Sequence, residues 1–128
     1  MLGISSSTRI LEDDDFKNAF AAASEAGRAA SVLWLKTVCN GWCTSTRMHE
    51  KQILDCIFGC PDKHDSLAHY LECPIPLAKI DETFPGWVDR NILLRTNYEK
   101  PSPQKAVIIS AMFQTYHMLK IRHEAHCR

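Results

Sequence analysis

The chain has no excess of either charge: Lys and Arg number 15, Asp and Glu number 15, and the net charge is zero with histidine neutral. A strong, sequence-blind nucleic-acid binder is therefore not expected, because its affinity would come largely from phosphate neutralisation. No basic segment leads into a long apolar run in the opening MLGISSSTRILEDDD, so a signal peptide is not expected. No stretch reaches the apolar length of a bilayer span, and no membrane partner is expected. Strand-like alternation is scarce, and no internal repeat is evident. A glycine-rich phosphate loop and a nucleophile elbow are both missing. A Cys–His enzyme would need a thiol activated in a cleft, and no motif marks one. These absences exclude most function classes and leave an intracellular, non-secreted, non-catalytic protein as the expectation. In a reducing compartment, six cysteines point to metal ligands rather than to a disulfide framework.

What is present is a chain of 128 residues, 45% apolar, enough for one domain with a small core. Residues 1–12 read as a flexible, serine-rich lead, and 13–128 as a single all-α domain. From about Asp14, Phe16, Phe20, Ala23, Gly27, Ala30 and Trp34 recur at helical spacing on one face, with alanine enrichment in support. Asp13, Asp14 and Asp15 sit where a helix dipole favours negative charge, and Asn40-Gly41 is the expected stop. A short helix over Ser45–Leu54 would turn Met48, Ile53 and Leu54 inward. Pro74 and Pro76 are expected to end a later helix. Short helices are expected around Leu77–Ile80 and Trp87–Leu94, and Tyr98–Pro103 is a connector. The last helix begins near Pro103 or Gln104 and reaches Glu124, with Ile108, Ile109, Met112, Phe113, Tyr116 and Leu119 as its apolar stripe. Lys120, Arg122 and Arg128 form a local basic excess near its end, complementing the helix dipole.

Between these helices lies CIFGCPDKHDSLAHYLEC, in which Cys56, Cys60, His69 and Cys73 form C-x3-C-x8-H-x3-C. Gly59 and Pro61 make Cys56–Pro61 a tight turn that brings two sulfurs together. Asp65 would cap a helix over Ser66–Cys73, on which His69 and Cys73 stand one turn apart on one face. Three thiolates and an imidazole are what a tetrahedral zinc ion takes, and four protein ligands close the site, so the metal would be structural. The residues leave a second set open: Cys39 and Cys43 are also three apart, and with Cys56 and Cys60 they would make an all-thiolate site. His64 is a further alternative to His69. Cys39 is also placed at a helix end beside Trp42, where it would pack. His49, His117, His123, His126 and Cys127 are expected at the surface.

The segment CIFGCPDKHDSLAHYLECP resembles the zinc-binding knuckle that follows the polymerase part of non-LTR retrotransposon reverse transcriptases. The shared features are the cysteine pair, Asp-Ser-Leu just ahead of the histidine, and the closing cysteine-proline. LKTVCNGWCTSTRMHE resembles the lead into that knuckle, and residues 104–123 the helix after it, so the likeness spans roughly residues 32–123. It favours Cys56, Cys60, His69 and Cys73 over the all-thiolate set. Two departures stand out: many family members have H-x4-C where this chain has H-x3-C, and the paired-aspartate polymerase motif is missing. The resemblance implies a detached or degenerate, non-catalytic tail that binds RNA or single-stranded DNA weakly, in the nucleus. Lys36, Arg47, Lys51 and Lys63 would neutralise phosphate, and Trp42 or Tyr70 would stack on bases. A zinc-stabilised protein-interaction module is the alternative, favoured by the zero net charge and by the small face of Ala23, Gly27 and Ala30.

Overall fold

The computed structural model describes residues 12–86 and 96–126, which form a small all-α domain. Its helices are α1 (Asp13–Glu25), α2 (Arg28–Val38), the single turn α3 (Leu67–Tyr70), α4 (Pro74–Thr83) and α5 (Pro103–His126). Among the described residues the only β feature is an isolated bridge between Asp55 and His64. None of the described helices is long and apolar enough to cross a membrane. The lead over residues 1–12 lies, apart from Glu12, outside the described residues, as does the short helix expected around Trp87–Leu94.

The first expected helix is two. α1 opens where three aspartates meet its N-terminus, and the Glu12 amide donates to the Asp15 carboxylate at 2.9 Å. It ends at Ala26, and Gly27 takes φ +102°, which a glycine adopts without steric cost. The chain then turns back into α2, so Ala23, Gly27 and Ala30 do not share one continuous helical face. Ala23 and Ala30 are buried on separate helices. The expected stop at Asn40-Gly41 is a Schellman ending. Asn40 is left-handed at φ +57°, its amide donates to Thr37 O, and the Gly41 amide donates to Lys36 O. A Cβ at Gly41 would meet Lys36 O at 2.7 Å.

Two clusters make the core. In one, Ala19, Ala23, Trp34, Val38, Tyr98, Ala106 and Ile109 gather where α1, α2 and α5 cross. Trp34 Nε1 donates to Thr96 O at 3.0 Å and Asn97 Nδ2 to Ala19 O at 3.1 Å, tying the connector before α5 to the helical pair. In the other, Trp42, Leu67, Tyr70, Leu71, Met112 and Tyr116 pack with Cys56 and Cys73. The expected stripe of α5 serves both clusters.

The rest of the middle departs from expectation. Ser45–Leu54 is not a helix but a set of turns, with His49 at φ +50°. Met48 (52% exposed) and Ile53 (41%) face outward rather than inward. The polar groups of this stretch are committed elsewhere: the Ser45 amide donates to the Asp65 carboxylate, Thr46 Oγ1 donates to Asp65 O, and Ser45 Oγ accepts from the Leu54 amide. Pro74 and Pro76 begin α4 instead of ending a helix, because first-turn positions need no amide donor.

Asp65 is fully buried and is not a helix cap; Ser66 takes that role, its Oγ accepting from the His69 amide. The Asp65 carboxylate accepts from Tyr70 Oη at 2.5 Å, Tyr116 Oη at 2.8 Å and the Ser45 amide at 2.7 Å, with Lys120 Nζ at 3.5 Å. Burial alone would raise this carboxyl. The hydrogen bonds from Tyr70, Ser45 and Tyr116 outweigh it and hold the group below its ordinary value. Lys120 is therefore not part of a basic surface patch: it is 5% exposed and also reaches Glu50 at 3.0 Å and the carbonyl of Cys43. Arg122 is exposed, and Arg128 lies outside the described residues.

Gly41→Ala is expected to destabilise the domain by about 1–3 kcal/mol in urea unfolding, since a backbone oxygen blocks the new methyl; an unchanged midpoint would contradict the close approach. Asp65→Asn removes one partner of a buried charge and should cost about 3–5 kcal/mol. A loss below about 1 kcal/mol in the same measurement would mean that Lys120 is satisfied without it.

Candidate metal centre

The site is built from short local devices. The chain enters it through a two-rung ladder: the Asp65 amide donates to Leu54 O at 2.9 Å and the Cys56 amide to Lys63 O at 2.7 Å. Between these rungs Gly59, at φ +101°, donates its amide to Cys56 O at 3.0 Å, folding the Cys56–Cys60 segment over itself. His69 stands on α3. Cys73 is the residue that precedes α4, after α3 has ended at Tyr70. The histidine and the third cysteine therefore meet across a helix junction, not along one helix as expected. The i, i+4 proximity survives because Leu71 and Glu72 continue the turn, their amides donating to Leu67 O and His69 O.

The four ligand atoms, three Sγ and one imidazole nitrogen, all lie within 4.8 Å of one another. Cys60 Sγ is 3.5 Å from Cys73 Sγ, and Cys56 Sγ is 3.8 Å from it. A disulfide needs about 2.05 Å, whereas zinc bonds of about 2.3 Å at tetrahedral angles place sulfurs about 3.8 Å apart. His69 Nε2 is buried and has no hydrogen-bond partner. A buried polar atom without a partner is costly, so this nitrogen marks a position where a ligand is called for.

The electrostatics agree. Burial lowers the His69 imidazole below its ordinary value, Lys63 lowers it further and Glu72 opposes. The neutral ring that results is the form a metal binds. Burial pushes the Cys73 thiol up to about 12, and the neighbouring Cys60 and Cys56 add to the rise. A divalent cation beside the Cys73 sulfur would oppose this rise, because a coordinating thiol is deprotonated.

No other group of three or more histidine, cysteine or acidic side chains converges in this way among the described residues. Cys39 and Cys43 are both exposed and outside the cluster, so the all-thiolate set is not assembled, and Cys39 is not packed in the core. His64 is exposed on the ladder and also outside it. His49 and His123 are exposed as expected, while His126 and Cys127 lie outside the described side chains. His117 is half-buried rather than at the surface: its Nδ1 lies 2.8 Å from Phe113 O, and its Nε2 accepts from the Cys43 amide at 3.2 Å. Burial lowers its pKa, in keeping with a neutral ring in that position.

The proposed base-stacking residues are corrected by their burial. Trp42 is 1% exposed, with Tyr70 and Tyr116 rings 5.8 and 5.1 Å from it and Nε1 donating to Thr37 Oγ1. Tyr70 is fully buried. Neither presents a face to a nucleobase. Lys36, Arg47, Lys51 and Lys63 are exposed; Lys36 Nζ lies 5.9 Å over the Phe113 ring. The residue missed from the sequence is Asp65 as an anchor, with Tyr70, Tyr116 and Lys120 as its partners. One signal was available: Lys120 follows Tyr116 by four on the apolar stripe of α5, and a lysine on a core stripe needs a buried partner.

Cys56→Ser and His69→Ala are each expected to lower the bound divalent metal of the purified protein to a small fraction of one per chain, while Cys39→Ser and Cys43→Ser leave it unchanged. Equal metal content in all four, measured by elemental analysis, would contradict the ligand set. Comparison with protein families, with curated proteins and with solved structures yields no match.

Proposed function

We propose that this chain is a non-catalytic, zinc-stabilised helical module in which Cys56, Cys60, His69 and Cys73 hold a structural Zn2+. The observation that carries the reading is the unpartnered, buried His69 Nε2 among three sulfurs at near-tetrahedral spacing. Softness of the donors favours zinc over magnesium or calcium, which take oxygen. Four protein ligands leave no position for a water, so the metal serves folding. Its binding free energy adds to the stability of a loop that has little secondary structure of its own.

The finer reading rests on the resemblance to the post-polymerase region of retrotransposon reverse transcriptases. On it, the module binds RNA or single-stranded DNA weakly through Lys36, Arg47, Lys51 and Lys63, without aromatic stacking from Trp42 or Tyr70. Phosphate contacts alone give affinity that falls steeply with salt and discriminates little between sequences. The alternative, a protein-interaction module, is favoured by a specific feature. An apolar groove of about 360 Å³ runs between α4 and α5, lined by Ile75, Ile80, Phe84, Val107 and Met112 with Phe58 from the knuckle.

A gel-shift titration of the zinc-loaded protein against single-stranded RNA and DNA tests the finer reading. Expected is binding at about 20 mM salt that is lost by about 200 mM, and weakened about tenfold or more when Arg47, Lys51 and Lys63 are all changed to Ala. No shift at low salt would overturn the nucleic-acid reading while leaving the zinc site standing.

A further inference from the structure

The three cysteines of the site differ in residue exposure, and their sulfurs in spacing. Cys56 and Cys73 are buried, whereas Cys60 as a residue is only half-buried, between exposed Gly59 and Pro61. Cys60 Sγ is also nearer to Cys73 Sγ, at 3.5 Å, than Cys56 Sγ is, at 3.8 Å. Cys73 is held at the junction of α3 and α4, followed by the ring of Pro74. Cys60 sits on the turn that Gly59 makes possible. An oxidant arriving from solvent therefore meets Cys60 first, and the sulfur best placed to respond is Cys73.

From this asymmetry we infer that the site is a peroxide-sensitive zinc switch in which Cys60 and Cys73 close as a disulfide and release the metal. The inference rests on the zinc reading above and adds its regulation. The Cys60 thiolate attacks one oxygen of hydrogen peroxide; the O–O bond breaks, hydroxide leaves, and Cys60 becomes a sulfenic acid. The Cys73 thiolate then attacks the Cys60 sulfur, forming the S–S bond and expelling a second hydroxide. Two thiolates have lost two electrons, peroxide has gained them, and the two hydroxides pass to solvent, where two protons from the buffer neutralise them. The sulfurs move from 3.5 Å to about 2.05 Å. Only Cys56 and His69 remain as ligands, half of the four that a structural zinc site uses. The hydrogen bonds of Asp65 to Tyr70 and Tyr116 involve no sulfur. A reductant with added zinc restores the starting state.

The test uses the chain with Cys39, Cys43 and Cys127 changed to Ser, which leaves only the three site cysteines, alongside the unaltered protein. Zinc content is measured first. A slight excess of hydrogen peroxide is then added, released zinc is followed with a chromogenic chelator, and disulfides are mapped by peptide mass spectrometry. Expected in both proteins is loss of the single bound zinc together with a Cys60–Cys73 linked peptide, reversed by a phosphine reductant and added zinc. Zinc bound at the start but retained, or released with a Cys56-containing disulfide or with sulfinate and no disulfide, would overturn the switch and leave the zinc reading intact. No zinc at the start would overturn both.

Discussion

The buried carboxylate of Asp65 is the constraint on which the second half of this fold turns. Its donors come from three separate stretches of chain: Ser45 after α2, Tyr70 on α3, and Tyr116 with Lys120 on α5. An ionised group at this depth is tolerated only when nearly every lone pair is used. Because the donors sit far apart in sequence, satisfying the carboxylate fixes where α5 crosses the knuckle. Tyr70 extends the same chain of contacts by accepting from the Ile57 amide at 3.0 Å. The residue beside the first cysteine ligand is thereby tied to the residue beside the histidine ligand.

The candidate metal centre and the carboxylate are two ends of one local structure. The ladder that presents Cys56 closes at the Asp65 amide, and Asp65 is followed at once by the cap of α3 that presents His69. His69 and Tyr70 are adjacent in the chain, and they serve the two ends separately: the imidazole joins the sulfurs, and the phenol joins the carboxylate. The His69 ring lies 5.5 Å from the Tyr70 ring, whose hydroxyl reaches Asp65. Tyr70 and Tyr116, raised well above the usual phenol range by burial and by the Asp65 hydrogen bonds, remain neutral donors at any physiological pH.

The parts of this arrangement that could be read from the sequence are those set by local spacing. The spacing of cysteines and histidine offered Cys56, Cys60, His69 and Cys73 as one of two candidate sets, and these are the four that converge. The stripe of α5 followed from its period, the start of α1 from its aspartates and the end of α2 from Asn40-Gly41. The parts that could not be read are decided by partners distant in the chain. Gly27 sits in a run with good helical period, and only the packing of α1 back against α2 makes the break favourable. Ser45–Leu54 is expected as a short helix, but the Ser45 amide and the Thr46 hydroxyl answer to Asp65, and Met48 and Ile53 are turned out. Trp42 next to a glycine and two cysteines looks like a surface platform until Tyr116, seventy-four residues on, closes over it. Pro74 and Pro76 can end a helix or open one, and the choice depends on whether Cys73 must turn toward the other sulfurs.

The two halves of the core have different needs. Where α1, α2 and α5 cross, ordinary helix packing around Trp34 suffices. The stretch from Cys39 to Ser66 has no helix at all, and a connection of that length inside a compact domain is unusual unless something else organises it. Its apolar residues are few, and several of them face solvent. Hydrophobic burial alone cannot offset the entropy of ordering so many residues without regular structure. Two polar anchors take its place: the sulfur and imidazole set at one end and the Asp65 carboxylate at the other. Both are expensive when incomplete and directional when complete, so each penalises alternative arrangements of the loop as well as stabilising this one. The two anchors thus act where helix packing contributes least, and the candidate ligands Cys56 and Cys60 fall within that same segment.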